Sequence, residues 1–274
     1  MSIKNILVAY DGSESAKRAV RLGAALARRY DAHLTGVFAH AAPHTYVQME
    51  AYMTAAALDI LADSAAETER QCESEFQEIV TAEEQGLRTD FVQAQGFPND
   101  VLTRLGRTYD LIVVAQPEGK GSVYSEASPD VIAMRSGRPV MIAPRGFEQF
   151  ELDNGAIIAW DGERAAARAL ADAMDLLEDK HKVTVLHVGT EDKIREPGSD
   201  VMEHLSRHGL DARLDVQPPG GLPVSDILLN ACADSGAGLM VMGAYEHSRF
   251  AELLLGGVTR DLVARSHIPV LMSH

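Results

Sequence analysis

Residues 8–20 read VAYDGSESAKRAV, and residues 158–170 read IAWDGERAAARAL. In both stretches a short apolar run ends in Asp-Gly, and the residues that follow place small and apolar side chains at helical spacing. Six of the thirteen aligned positions are identical. Each stretch therefore predicts a buried strand, a tight turn and the start of a helix, and together they indicate an internal duplication.

Three further pairs of segments keep the same order in both parts of the chain. They are Phe97-Pro98 with Leu222-Pro223, residues 111–114 (LIVV) with 239–242 (LMVM), and residues 135–140 (RSGRPV) with 265–270 (RSHIPV). A repeat of roughly 140 residues has the size of a domain and is too long for a solenoid unit. We therefore predict two domains, residues 1–146 and residues 155–274, separated by a polar stretch.

Apolar runs alternate with helical patterns along each unit. The predicted strands are residues 6–10, 34–39, 89–93, 111–115 and 138–143, then 157–160, 183–188, 213–217, 238–242 and 269–272. Such alternation gives parallel sheets with right-handed crossovers. We predict an α/β protein in which each unit has a five-stranded parallel sheet with helices on both faces. Ligands of such folds bind beyond the carboxyl ends of the strands.

A long helical pattern at residues 54–84 carries many glutamates. Phe76, Ile79 and Val80 mark its buried side, so we expect the carboxylates to lie on a solvated face. The methionine-bearing stretch at residues 46–61 either covers the first unit's cleft or packs on the other unit, and packing is the interpretation we favour.

The composition limits the classes of partner. The 274 residues include 40 acidic and 25 basic side chains, and a formal net charge of −15 disfavours nucleic acid or an anionic membrane as partner. No apolar run is long enough to span a bilayer. The chain starts without a signal-peptide pattern, and two cysteines, Cys72 and Cys232, are too few for a disulfide framework. We therefore expect a cytoplasmic protein.

The first candidate functional element is the Asp-Gly turn that follows the first strand of each unit, Asp11-Gly12 and Asp161-Gly162. A carboxylate at this edge of the sheet could accept hydrogen bonds from an adenine amino group or a ribose hydroxyl. Alternatively, the aspartate only opens a turn in which glycine permits a left-handed backbone.

The second candidate is the loop at residues 243–259, GAYEHSRFAELLLGGVT. Its first glycine would let the chain turn off a buried strand, and its glycine pair precedes a helix expected at residues 258–265. Free backbone amides at a helix start bind anions, so the loop suits a phosphate unless its glycines serve only the turn. The candidate phosphate-binding residues are Gly243, His247, Ser248, Arg249, Gly256, Gly257, Val258 and Thr259.

The Asp-Gly turns, Leu-His-Val at residues 186–188, the glycine loop and the closing Ser-x-x-Pro-Val strand together resemble the universal stress protein family. The resemblance covers nearly the whole chain as a tandem pair of domains. It implies two Rossmann-like domains of the adenine nucleotide alpha hydrolase type. It also implies a stress-response regulatory role with ATP or another adenine nucleotide as ligand, which Mg²⁺ could accompany.

Nucleotide-binding members of that family carry Gly-x2-Gly-x9-Gly-Ser/Thr, with an aspartate and a valine near the adenine. In the second unit, Asp161, Val188, Gly243 and Gly256 match these positions. Two positions depart from the motif. They are Glu246, which replaces the second glycine, and Gly257, which replaces the Ser/Thr, although Thr259 could supply the missing hydroxyl.

The first unit departs further from the motif, so we predict that it does not bind nucleotide. Its residues at the four motif positions are Ala115, Glu118, Glu126 and Ala127. The segment at residues 119–122, GKGS, lacks the spacing of a P-loop.

Neither metal chemistry nor catalysis is indicated. The pairs His40/His44 and His204/His208 have helical spacing but no further ligand at a diagnostic position, and no nucleophile–base pattern occurs. The leading hypothesis is a nucleotide-binding regulatory module whose two units pack as an intramolecular pseudo-dimer, with a homodimer of chains left open. The alternatives are an interaction or scaffold protein that has lost nucleotide binding, and a slow ATPase.

Overall fold

The structure is a computed structural model of the 274-residue chain. It describes residues 2–40, 55–118, 127–146, 153–178, 180, 182–190, 200–218, 220–244 and 257–274. Within these residues the chain forms ten strands and eight helices. None of the described helices is long and apolar enough to cross a membrane.

Strands and helices alternate in each half of the chain, as the sequence predicts. The first half contains β1 (Asn5–Ala9), α1 (Glu14–Tyr30), β2 (His33–His40), α2 (Ala55–Glu83), β3 (Thr89–Gln95), α3 (Pro98–Gly106), β4 (Leu111–Ala115), α4 (Pro129–Ser136) and β5 (Val140–Ala143). The second half contains β6 (Ala156–Ala159), α5 (Arg164–Leu177), β7 (Val183–Val188), α6 (Val201–Arg207), β8 (Ala212–Gln217), α7 (Val224–Ser235), β9 (Leu239–Gly243), α8 (Gly257–Arg265) and β10 (Val270–Ser273).

All ten strands belong to one sheet, in the order β3-β2-β1-β4-β5-β10-β9-β6-β7-β8. The five strands of each half run parallel, which confirms the predicted fold class. The two halves meet where β5 and β10 pair antiparallel, with Leu271 opposite Met141. The two five-stranded sheets are therefore one continuous sheet.

The central strands of the sheet are buried on both faces because they are apolar along nearly their whole length, whereas the edge strands β3 and β8 alternate with polar residues and are only partly buried. Ile6, Leu7 and Val8 in β1 are each 0% exposed, although consecutive side chains of a strand point to opposite faces. One core packs against α1, α2, α5 and α6. The other packs against α3, α4, α7 and α8. Each core includes buried residues from both halves of the chain.

The long helix α2 lies on the first of these faces. Phe76 and Val80 are buried and Ile79 is partly buried, as predicted. Glycine at Gly36 makes room for this packing, because a Cβ there would lie 2.7 Å from the Phe76 ring. Most of the helix's glutamates face solvent, but Glu75 does not follow this pattern and is described with the site. Most of the stretch at residues 46–61 lies outside the described residues.

Candidate ligand site at the carboxyl edge of the sheet

The predicted Asp-Gly turns follow β1 and β6 with the same geometry. Gly12 has φ 82° and Gly162 has φ 83°, in the left-handed region that favours glycine. One carboxylate oxygen, Oδ1, accepts the backbone N–H two residues on, at 2.9 Å for Asp11 and 3.0 Å for Asp161. The aspartates therefore do form the turn, as the alternative interpretation required.

The turn uses only one oxygen of each carboxylate. Asp161 is exposed, and its Oδ2 makes no hydrogen bond with the described residues. A carboxylate has several lone-pair sites, so an oxygen that is free of the turn can still accept a bond from a ligand. The turn and the ligand interpretations of Asp161 are therefore compatible.

The helices after the two turns begin differently. Ser13 is the N-cap of α1, and its hydroxyl accepts the N–H of Ala16 at 3.1 Å. Glu163 stands at the N-cap of α5 and makes no such bond. The start of α5 is therefore capped less completely than the start of α1.

Gly243, the last residue of β9, is required for space. A Cβ at this position would lie 2.7 Å from the backbone carbon of Ala165 and 2.7 Å from the nitrogen of Ala166, in the first turn of α5. The φ angle of Gly243 is not in the left-handed region, so a tight turn does not explain the glycine. Glycine is needed because the strand and the helix approach each other closely here. In the first half the corresponding residue is Ala115, which has a Cβ.

The described part of α8 begins at Gly257, next to the predicted start at residue 258. Gly257 and Val258 are exposed, and no described residue lies within 4 Å of a Cβ placed on Gly257. Thr259 is only 6% exposed, so little of this residue is open to a ligand. Four of the predicted phosphate-site residues lie outside the described residues, namely His247, Ser248, Arg249 and Gly256. Glu246, which replaces the second glycine of the motif, lies outside them as well.

Val188 is the last residue of β7, the strand beside β6, and is half-buried. The neighbouring His187 is a residue that sequence reasoning did not single out. It is 3% exposed, its Nδ1 lies 2.8 Å from the carbonyl oxygen of Trp160, and its Nε2 has no hydrogen-bond partner in the described part of the chain. A histidine inside an apolar strand was the signal that could have found it. The contact ties the ends of β6 and β7 together.

In the first half, a cleft of about 190 Å³ lies at the equivalent edge of the sheet. Asp11 and Glu118 contribute carboxylates to its lining, and its described lining contains no lysine or arginine. An anionic lining disfavours phosphate groups. This charge agrees with the prediction that the first unit does not bind nucleotide, which stays a prediction.

A hydrogen-bond network holds α2 beside this cleft. The Tyr10 hydroxyl donates to Glu75 Oε2 at 2.8 Å, Gln71 donates to Oε1 at 2.9 Å, and Lys17 Nζ lies 3.4 Å from Oε2. The bonds from Gln71 and Tyr10 hold the pKa of Glu75 below its ordinary value. Burial raises the pKa of Tyr10 far above its ordinary value. Glu75 therefore remains ionised at neutral pH, and Tyr10 remains a hydrogen-bond donor.

Both cysteines are buried and unpaired. Burial raises the pKa of Cys72 to about 11 and that of Cys232 to about 12, so both thiols stay protonated at neutral pH. A protonated thiol is a poor nucleophile and a poor metal ligand. Neither cysteine is suited to nucleophilic catalysis.

Of the candidate metal residues, His40 lies 3.2 Å from Glu69, and the rings of His204 and His208 are 4.7 Å apart. His44 lies outside the described residues. In the described part of the chain, no group of three or more histidine, cysteine or carboxylate side chains is placed to hold a metal ion.

Comparison with known proteins gives the same picture of the fold. The structure superimposes on a universal stress protein from Archaeoglobus fulgidus with a TM-score of 0.72 and 16% identity, over 98% of this chain and 95% of that one. The superposition on a protein of unknown function from Pseudomonas aeruginosa, PA1789, has a TM-score of 0.60 and 14% identity, and it covers 99% of this chain and 92% of that one. At these identities the likeness concerns the fold alone.

A curated relative, the universal stress protein Slr1230 of Synechocystis, is 25% identical over 196 residues, which cover 64% of this chain and 62% of that protein. The match thus spans less than two thirds of that relative's length. The model of the universal stress protein family matches residues 2–122 and 221–274, more than half of the chain. The duplicated fold and this match lead to one conclusion: the chain belongs to the universal stress protein family.

Proposed function

We propose that the second half of the chain binds an adenine nucleotide, and that binding serves a regulatory role in a cytoplasmic stress response. The observation that carries the proposal is the packing of Gly243 against the first turn of α5. This contact holds the end of β9 next to the turn that contains Asp161. The loop after β9 therefore starts beside a carboxylate with an unused oxygen, at the edge where such folds bind ligands.

In this proposal the Asp161 carboxylate accepts a hydrogen bond from the adenine amino group or a ribose hydroxyl. Val188, at the end of the neighbouring strand, contributes apolar contact to the base. The exposed start of α8 at Gly257 and Val258 offers backbone amides to the phosphates, together with the loop residues His247, Ser248, Arg249 and Gly256. ATP with Mg²⁺ is one form of the ligand.

The experiment is titration calorimetry of the full chain with ATP, ADP and AMP, with and without Mg²⁺. Asp161→Asn keeps the turn-forming oxygen but replaces the other with an amide donor, so we expect about ten-fold weaker binding. Asp11→Asn makes the same change in the first half and is the matched control. We expect it to leave the affinity unchanged.

Two results would contradict the proposal. One is the absence of heat and of thermal stabilisation at millimolar nucleotide. The other is an equal loss of affinity in Asp11→Asn and Asp161→Asn. Equal losses would mean that the substitution acts by disturbing either turn and that nucleotide binding is not specific to the second half.

An interaction protein without nucleotide is the second candidate. The observation that favours it is the anionic lining of the first-half cleft by Asp11 and Glu118. If the glycines of the second half serve packing alone, nucleotide will not alter the melting temperature. A partner recovered equally well with and without ATP would then support this candidate.

A further inference from the structure

A second cavity, of about 630 Å³, lies where the two halves meet. We call it the junction groove. It is lined by Leu229 and Cys232 of α7, by residues 264–268 at the end of α8, and by Gln116 and Arg145 of the first half. It is on the face of the sheet that carries α7 and α8, at the opposite end of α8 from the proposed phosphate loop.

One wall of the junction groove is built by a buried amide. Gln116 is only 2% exposed, and its Nε2 donates to the carbonyl oxygens of Val263 at 2.6 Å and Ser266 at 3.2 Å. Its Oε1 accepts the backbone N–H of Arg145 at 2.7 Å. These bonds fix Arg145, from beyond the end of β5, against the last turn of α8.

Arg145 brings a positive charge that no described carboxylate neutralises. Its Nη2 donates to the carbonyl oxygen of Ala264 at 3.1 Å, and its Nε lies 3.4 Å from Gln116 Oε1. Among the described residues, no carboxylate lies within 4.0 Å of this guanidinium, and Nη1 makes no hydrogen bond. An arginine that is positioned but not neutralised is suited to bind an oxyanion.

The other charged and titratable side chains around the groove differ from Arg145. Arg265 is paired with Asp226 at 2.6 Å and lies 3.8 Å from Asp261, so its charge is largely balanced. His267 is exposed at the rim and adds a hydrogen-bonding ring.

Much of the remaining wall is apolar, and Asn230 and Ser266 are its other polar residues. Leu229, Cys232 and Ile268 line it, and burial keeps the Cys232 thiol protonated by raising its pKa to about 12. The volume falls in the usual range of small-molecule sites, and a mostly apolar wall with a few placed polar groups is typical of them.

We propose that the junction groove binds a small organic oxyanion, an acid with a hydrocarbon body, whose head pairs with Arg145 and whose body lies on Leu229, Cys232 and Ile268. The site is separate from the nucleotide site, and the proposal stands whether or not nucleotide binds. The halves differ here, because the residue of the second half that corresponds to Gln116 is Ala244, which has no side-chain amide.

The test uses octanoate as the probe, titrated into the full-length protein by calorimetry. Octylamine and octanol have the same hydrocarbon body with a cationic or a neutral head. We expect octanoate to bind at least about ten-fold more tightly than either, because only its head can pair with the guanidinium. Equal binding of the three probes, or no binding of octanoate at millimolar concentration, would overturn the proposal.

Arg145→Gln tests whether the guanidinium of Arg145 binds the carboxylate head. We expect this variant to bind octanoate about ten-fold more weakly than the wild type. Arg135→Gln is the matched control, because Arg135 pairs with Asp100 at 3.0 Å between α4 and α3, outside the groove. We expect this control to keep the wild-type affinity. Equal affinities in Arg145→Gln and the wild type would place octanoate elsewhere and refute the assignment.

A second variant separates loss of the site from loss of the fold. Ala233 is exposed on α7 and lines the groove, so Ala233→Trp should fill it while Arg145 remains. We expect this variant to melt as the wild type does, to lose octanoate binding and to keep any ATP affinity. Retention of octanoate binding by a folded Ala233→Trp variant would overturn the proposal, and an ATP titration of the same sample reports on the nucleotide site independently.

Discussion

Gly243 and His187 show how single residues shape the carboxyl edge of the second half. Gly243 leaves the space that the first turn of α5 occupies, and His187 bonds the end of β7 to Trp160. Among the described residues, His187 Nε2 is buried without a partner, which normally costs stability.

Gly243→Ala is expected to destabilise the protein by about 1–3 kcal/mol, because the new methyl group would meet backbone atoms that cannot move aside. Gly257→Ala is the matched control, since a Cβ there meets none of the described residues within 4 Å. Denaturant unfolding of both variants measures the difference. Equal free energies of unfolding for the two variants would contradict the packing argument.

At the scale of elements, α2 is fixed to the first half by more than apolar packing. Phe76 lies in the core, and Tyr10, Gln71 and Lys17 converge on Glu75. The corresponding aromatic residue of the second half, Trp160, has no hydroxyl for such a bond. The network therefore belongs to the first half alone.

Glu75 should make stability depend on acid. Its folded pKa lies below the ordinary value of 4.5, so its stabilising contribution is complete above that pH and is lost as the pH falls through the folded pKa. Glu75→Gln should cost about 1 kcal/mol at pH 7 and progressively less below about pH 4.5. Glu78→Gln, at an exposed position of α2, is the control. A deficit that persists unchanged at pH 3 would exclude this origin.

At the scale of the whole molecule, the antiparallel pairing of β5 with β10 joins the halves into one sheet, and both cores cross the junction. Gln116 adds hydrogen bonds from the first half to the end of α8. The division into domains at residues 1–146 and 155–274 and the pairing of two chains as a homodimer stay predictions.

Because the halves share a sheet and two cores, the chain should unfold in a single cooperative transition. Scanning calorimetry should give a calorimetric-to-van't Hoff enthalpy ratio of about one. Two resolved transitions would instead mean that the halves fold independently and that the junction contributes little.

The sequence by itself determined the duplication, the ten strands, the alternation of strands with helices and the Asp-Gly turns. These features follow from local rules, namely the spacing of apolar residues and the need for glycine at positive φ. It also predicted which edge of the sheet holds the candidate site, because the alternation of strands and helices places their carboxyl ends together.

Only the tertiary structure decided the antiparallel joining of the sheets, the bond from Tyr10 to Glu75 and the capping of α8 by Gln116. Each joins residues far apart in the chain, and Gln116 lies 147 residues from Val263. Local periodicity carries no information about such pairs, because the free energy of their interaction depends on which surfaces meet after folding. The tertiary structure also decided the role of Gly243, because the space that its missing Cβ leaves is occupied by the first turn of α5, which is far from Gly243 in the sequence.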